Sequence, residues 1–192
     1  MQYYVVNTLG GPDPGLAFVR SPPEGLGLMA VRPATGEAVG AAYPDPADIY
    51  LEPRSGIELP SLIGNTLGYL IVSSRMKDVM SRLRALGRAE LLPVRIHHEK
   101  KRLHTSDYWI VNPLGSIDCV NRSASKIQRG EAGPPDVTAD RLVLNPHKAE
   151  GNDLFRVPED PRRYVVSERL ANALARHGFT NVLLDAIEAL AA

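Results

Sequence analysis

The stretch RRYVVSERLANALARHGF at residues 162–179 joins an apolar strand pattern directly to a helix pattern. Ser167 stands at the junction, where a hydroxyl can accept hydrogen bonds from the first N–H groups of a helix. Apolar residues then recur at helical spacing, and Gly178 is typical of the left-handed residue just beyond a helix end. The stretch therefore predicts a strand followed by a helix that Ser167 caps.

A second stretch, YLIVSSRMKDVMSRLRALG at residues 69–87, repeats this pattern with Ser73 as the cap. Two arginines recur at the same distances from the cap, Arg75 with Arg169 and Arg82 with Arg176. The closing glycine comes three residues later than in the other copy, which predicts about one additional helical turn. Internal duplication is one explanation, and two helices that obey the same capping rules is the other.

Further apolar segments predict strands around these two units. They are residues 3–6, 91–96, 108–111, 116–120, 141–144, 154–157 and 182–184, with short strands also compatible with 27–32 and 49–51. A Pro and a Gly at residues 113–115 favour a turn, so 108–111 and 116–120 are expected to pair as a hairpin. Pro93 places its strand at an edge or a bulge, and the polar residues 121–139 are expected to form a loop.

Prolines and glycines are dense between residues 10 and 60, which disfavours long central strands there. Scattered apolar residues in this region still argue for order. The predicted fold is α+β, a mixed or antiparallel sheet with two main helices, preceded by a Pro/Gly-rich irregular N-terminal section. The expected organisation is an N-terminal section at 1–66 packed on a main domain at 67–192.

The composition restricts the class of partner and the compartment. Lys plus Arg and Asp plus Glu balance at 22 each, so no global field attracts nucleic acid or a membrane surface. A single cysteine excludes an internal disulfide and suits a reducing compartment. No apolar stretch approaches the roughly 20 residues that span a bilayer. A soluble, cytoplasmic protein is expected, and the sequence does not indicate an oligomeric state.

Two places resemble chemical sites. Residues 95–104 are rich in Arg, Lys and His, which suits a phosphate or nucleic-acid contact, a solvated strand end, or, with His98, Glu99 and His104, a metal, although their spacing matches no zinc signature. Cys119 could serve a cysteine-dependent enzyme, but it lies in an alternating strand pattern without a hydrolase motif, which favours a buried thiol. No catalytic residue, cofactor or metal site is predicted.

Aromatic residues suggest where a partner would bind. Trp109 lies in a segment that is apolar on both sides, so it is expected in the core of a central strand. An acidic and aromatic loop between prolines suits capture of a basic partner surface, the alternative being a solvated loop. The expected partner-binding residues are Tyr43, Asp45, Asp48, Tyr50 and Glu52, and Glu58 extends the acidic group.

The chain also resembles a known family. DYWIVNPL at 107–114, followed by IDCV at 117–120, is similar to its tyrosine-rich strand, short turn and Asp-Cys strand, and LFRV at 154–157 with YVVSERL at 164–170 is similar to its C-terminal half. The family is the eleventh numbered immunity family of bacterial polymorphic toxin systems, which has a myxobacterial founding member. The resemblance covers roughly residues 67–190 and leaves residues 10–60 unmatched.

This resemblance implies a non-enzymatic protein that binds and neutralises a cognate toxin encoded nearby. The toxin would be the partner, and stoichiometric binding would block its active site or substrate path. A nucleic-acid or phosphate-binding module and a cysteine-dependent enzyme are the alternatives that the residues themselves leave open.

Overall fold

The computed structural model describes residues 2–98, 100–129 and 137–189. Within these ranges the chain has a six-stranded sheet, a five-stranded sheet, a two-stranded ribbon and four α-helices, which confirms the predicted α+β class. The strands are β1 Tyr3–Val6, β2 Phe18–Val19, β3 Ala47–Tyr50, β4 Leu62–Asn65, β5 Ile71–Ser73, β6 Ala89–His97, β7 Leu103–Pro113, β8 Lys126–Arg129, β9 Val137–Arg141, β10 Val143–Leu144, β11 Leu154–Val157, β12 Asp160–Ser167 and β13 Leu184–Ala189. The helices are α1 Arg32–Thr35, α2 Ser74–Arg82, α3 Pro146–Ala149 and α4 Glu168–Arg176.

The six-stranded sheet has the order β2-β4-β5-β7-β6-β3 and curls until its two outer strands meet. The N–H of Glu52, just after β3, donates to the Phe18 carbonyl of β2 at 2.8 Å, and Val19 forms a bridge with Leu51. A sheet that closes on itself in this way leaves no long row of unpaired backbone groups. Its interior is filled by buried apolar side chains, among them Val19, Ile49, Ile63, Ile71, Val94, Ile96 and Ile110.

The five-stranded sheet has the order β10-β13-β1-β12-β11 and is mixed. β1 lies between β12 and β13 and is antiparallel to both, whereas β10 is parallel to β13. One face of this sheet shares an apolar cluster with α2, α4 and the outer side of the six-stranded sheet, including Val6, Leu62, Val72, Met76, Met80, Val111, Val166, Leu170 and Leu174. The opposite face packs on a third cluster that includes Cys119, Leu142 and Leu144.

Both predicted caps are confirmed. The hydroxyl of Ser73 accepts a hydrogen bond from the Met76 N–H, and that of Ser167 accepts one from Leu170, each at 3.3 Å. The two helices have nine residues each, so the predicted additional turn of the first helix is wrong. The three additional residues instead belong to a turn after α2, in which Arg84 has a positive φ of 55°.

The helices α2 and α4 are joined by a hydrogen bond at each end of the pair. Arg75, near the start of α2, donates to the carbonyl of His177 at the end of α4 at 3.1 Å. In return, Arg169, near the start of α4, donates to the carbonyl of Leu83 at the end of α2 at 2.9 Å. The helices therefore run antiparallel, and a cationic side chain satisfies one end carbonyl of each.

Arg156 of β11 is a fully buried charge that connects distant parts of the chain. Its guanidinium lies over the ring of Tyr164, 4.0 Å from the centroid, and donates to four backbone carbonyls, those of Pro33, Ala34, Pro113 and Pro161. Buried polar groups are tolerated when they are hydrogen-bonded. Arg156 thus ties α1 to both sheets.

The predicted hairpin of 108–111 with 116–120 is wrong. The first segment lies in β7, which pairs with β5 and β6. Beyond the turn, the Ile117 N–H donates to the Arg156 carbonyl at 2.8 Å in the other sheet. The turn residues thus lead the chain from one sheet to the other, because β6 offers β7 a longer antiparallel partner than residues 116–120 do.

Other predicted segments have mixed outcomes. Residues 3–6 and 154–157 form β1 and β11 as predicted, and the strand expected at 49–51 is found one or two residues earlier as β3. Residues 27–31 form a 3-10 helix rather than a strand, and α1 follows directly at Arg32, with Pro33 in its first turn. Pro93 lies inside a sheet, and the register shift comes just after it, between Val94 and Ile96.

Three further predictions concern a loop, membrane-spanning segments and the domain boundary. The loop predicted at 121–139 is wrong in part, because β8 and the first residues of β9 form a paired ribbon there, and residues 130–136 lie outside the described residues. No helix among the described residues is long and apolar enough to cross a membrane. The boundary at residue 66 stays a prediction, although β3, which precedes it, pairs with β6, which follows it.

Candidate partner-binding face

The outer side of β3 and β6 is a sheet face with polar and aromatic side chains. Both strands alternate, and Ile49 and Ile96 point into the closed sheet with no exposed surface. The parallel register places Asp48 opposite Arg95 and Tyr50 opposite His97 on the outer side. We call Asp48, Tyr50, Pro93, Arg95, His97 and the neighbouring Trp109 the β3–β6 face.

An ion pair fixes the centre of this face. The Arg95 guanidinium donates a hydrogen bond to each carboxylate oxygen of Asp48, with Nε–Oδ1 at 2.6 Å and Nη2–Oδ2 at 2.9 Å. His97 Nε2 lies 2.8 Å from the same Oδ1. The hydrogen bond from Arg95, aided by His97, holds the pKa of Asp48 below its usual range, and the pKa of Arg95 is raised in return. The carboxylate is therefore ionised and held in place at neutral pH.

Aromatic rings flank the ion pair. The ring of Tyr50 lies 5.2 Å from that of His97, centroid to centroid, with a tilt of 31°. Trp109 pairs with Pro93 across β6 and β7, and its indole N–H donates to the Ser74 hydroxyl of α2 at 3.0 Å. Trp109 is half-buried, so the prediction that it lies in the core is wrong, while the predicted central position of its strand is confirmed. It fills the junction between helix and sheet.

The five predicted partner-binding residues occupy different places. Asp48 and Tyr50 lie together on the β3–β6 face. Tyr43 is buried beside it and donates its hydroxyl to the Pro93 carbonyl at 2.8 Å. Asp45 is exposed, and Glu52 pairs with Arg20 at 3.4 Å, lining a separate cleft of about 410 Å³ next to β2.

Arg95 and His97 were predicted only as members of the cationic run at 95–104, and neither they nor Trp109 were expected on this face. The alternation of buried and partly buried residues along β6 carries the signal, since both lie two residues apart on the side opposite Ile96. Their pairing with Asp48 depends on the register of β3 with β6, which local sequence does not encode.

The cationic run at 95–104 is divided by the fold. Arg95 and His97 belong to β6 and His104 to β7, and His98 Nε2 lies 3.1 Å from His104 Nδ1. Within the described ranges no group of three or more metal-binding side chains is found, and Glu99 lies outside them. The run thus forms no single patch.

Cys119 is buried, with no exposed surface. Burial, followed by the nearby Glu159 and Asp118 carboxylates, raises the pKa of its thiol to about 11. A nucleophilic cysteine needs the opposite setting, partly exposed and electropositive. Cys119 therefore acts as a small apolar residue of the third cluster.

Comparison with known proteins supports the family resemblance. The model of a family described as Immunity protein family (Imm11) matches residues 12–189 of the 192-residue chain. The match begins at residue 12, so the expectation that residues 10–60 fall outside it is wrong. Comparison with curated proteins finds no significant match. Because the family model matches nearly the whole length of this chain, the chain belongs to the immunity protein family Imm11.

Proposed function

We propose that this protein is the immunity partner of a bacterial polymorphic toxin, and that it binds and neutralises that toxin in the cytoplasm of the producing cell. Membership of the Imm11 family carries this proposal. The role is non-enzymatic, because neutralisation by binding requires a complementary surface and no nucleophile. The buried thiol of Cys119 agrees with such a role.

The β3–β6 face is the proposed contact surface. Tyr, Trp and Arg are the residue types most enriched among side chains that dominate binding energies, and here Tyr50, Trp109 and Arg95 lie on adjoining strands. Arg95 is held by its ion pair to Asp48 and Trp109 by its hydrogen bond to Ser74, and the ring of Tyr50 lies against that of His97. Preorganised side chains lose little conformational entropy on binding, which favours a tight complex.

Inhibition would follow from occlusion. A rigid sheet face that covers an active site excludes substrate without chemistry on either partner. If the toxin has a basic cleft, the exposed carboxylates of Asp45 and Glu58 would steer its approach. Replacement of Asp45 and Glu58 by Lys should then slow association most at low salt.

The test is co-expression of this chain with the product of the adjacent toxin gene, with growth rescue and co-purification as readouts. Rescue together with a one-to-one complex is the expected result. A toxic neighbour that stays active and forms no complex with the wild-type chain would overturn the proposed function.

The surface is tested separately with the purified complex. Tyr50→Ala combined with Trp109→Ala should weaken binding by about 2 kcal/mol or more, because both rings would lose their buried contacts. Asn172→Ala, an exposed change on α4, serves as the matched control and should bind as the wild type does. Equal affinity of both variants would move the interface away from the β3–β6 face and leave the function itself intact.

A further inference from the structure

Four arginines follow the line where α2 meets α4. Arg75 and Arg82 are seven residues apart on α2, as are Arg169 and Arg176 on α4. Seven residues make about two helical turns, so each pair lies on one side of its helix. The bonds from Arg75 to His177 and from Arg169 to Leu83 show that this side faces the other helix. We call these four residues the arginine seam.

The seam has a two-fold arrangement. Since the helices are antiparallel, Arg176, which precedes His177, comes beside the end that carries Arg75. Likewise Arg82, which precedes Leu83, comes beside the end that carries Arg169. Each end of the helix pair thus carries one arginine from each helix, although the chain as a whole has no net charge.

The four arginines of the seam differ in the partners of their guanidinium groups. Arg169 forms a two-point contact with the Asp153 carboxylate, through Nε–Oδ1 at 3.1 Å and through Nη2. Arg75 has a carbonyl and the ring of Phe179, whose centroid is 5.2 Å away. Within the described residues, Arg82 and Arg176 are exposed and have no ion pair.

Structural roles explain only part of this pattern. A cation in the last turn interacts favourably with the helix dipole, which accounts for a basic residue near the end of each helix. The dipole does not determine on which side of the helix the cation lies. Both unpaired arginines nevertheless lie on the seam side, where each adds positive charge to an arginine already present.

We propose that the arginine seam is a docking surface for an acidic protein surface, whose carboxylates pair with Arg82 and Arg176. The guanidinium fork matches a carboxylate at two points, and Asp153 already shows this geometry at Arg169. A protein fits better than nucleic acid, because the seam offers separated positive charges at its two ends on a neutral chain rather than a continuous basic track. The seam lies on the helices, so this inference does not depend on the toxin-binding proposal.

The test measures the binding of fluorescent poly-L-glutamate to the full chain at low salt. The double variant Arg82→Gln, Arg176→Gln should bind about tenfold more weakly, since two exposed ion pairs are lost. Arg82→Lys with Arg176→Lys should recover part of the affinity. Arg54→Gln with Arg102→Gln, which removes the same charge from exposed positions elsewhere, should change the affinity less than about twofold.

Three results would overturn the inference. They are absence of poly-L-glutamate binding by the wild-type chain, equal losses in the seam and control variants, and tighter binding of a single-stranded oligonucleotide of equal charge, which would assign the seam to nucleic acid. Thermal unfolding of each variant verifies that the fold is retained. Arg82 and Arg176 are exposed, so their replacement should leave it unchanged.

Discussion

The unit formed by β5 and α2 and the unit formed by β12 and α4 follow one local plan in two different surroundings. Each has a serine cap, a nine-residue helix and an arginine that binds the end of the other helix. In the second unit the Asp153 carboxylate also accepts hydrogen bonds from Ser167 and Arg169. In the first, Arg75 lies against the ring of Phe179 instead. Local sequence thus sets the elements, while distant residues set how firmly each is held.

The apolar side of each helix should contribute equally to stability. Met76 and Leu170 both lie three residues after the cap and are buried in the same cluster. Met76→Ala and Leu170→Ala should each lower the free energy of unfolding by about 3 kcal/mol, because each leaves a cavity. Denaturant unfolding measures both. A loss below about 1 kcal/mol at either position would mean that the two units are not equivalent in packing.

The carboxylate of Asp153 should make the second unit sensitive to acid. Burial raises the pKa of this group, but the hydrogen bonds from Arg169 and Ser167 outweigh burial and hold the pKa below its usual value. A lowered pKa in the folded state means that the stabilisation is complete above the unfolded pKa of about 3.9 and is lost as the pH falls through the folded pKa.

Asp153→Asn should therefore lower the free energy of unfolding at pH 7 by about 1 to 2 kcal/mol, since charge-assisted hydrogen bonds are lost. Below about pH 4 the difference from the wild type should shrink. Unfolding titrations from pH 7 to pH 2 measure both effects. A difference that stays constant with pH would exclude a role for the carboxylate charge.

Removal of the caps should distinguish the two units more finely. Ser167→Ala should cost about 1 kcal/mol or slightly more, because the hydroxyl both caps α4 and donates to Asp153. Ser73→Ala should cost less, about 0.5 to 1 kcal/mol, since its hydroxyl makes only the cap bond among the described residues. Thermal unfolding of the two variants gives the order, and the reverse order would contradict it.

The two inter-helix arginines should give the smallest effect. Both are exposed, so Arg169→Gln should cost about 0.5 kcal/mol and Arg75→Gln still less. A double-mutant cycle of Arg169→Gln with Asp153→Asn should show coupling, because the two side chains are in contact. If the two changes in the free energy of unfolding were fully additive, the ion pair would contribute no stability in solution.

The sequence predicts the elements better than it predicts their pairing. Both caps, β1 and β11 follow from local patterns, because capping and alternation depend on a few neighbouring residues. The hairpin across residues 113–115 is wrong because the same turn chemistry can reverse a strand or redirect the chain to another sheet. The helix length is wrong because Arg84 takes a positive φ and ends α2 early.

The candidate face was predictable only in part. Asp48 and Tyr50 follow from the acidic and aromatic composition of their loop, which is local. Arg95 and His97 join them through a parallel strand pairing, and Trp109 is held at the surface by Ser74 of α2. Contacts between residues far apart in sequence have no local signature, so the ion pair at the centre of the face could not be foreseen.

The place of β1 in the five-stranded sheet has a consequence for how the chain folds. Residues 3–6 are paired on both sides, with strands at 160–167 and 184–189. The strands of the closed sheet, in contrast, all lie between residues 18 and 113. During synthesis the closed sheet can form first, while β1 waits unpaired for partners made much later. Contacts between residues so far apart in sequence slow folding, so the five-stranded sheet should assemble after the six-stranded sheet.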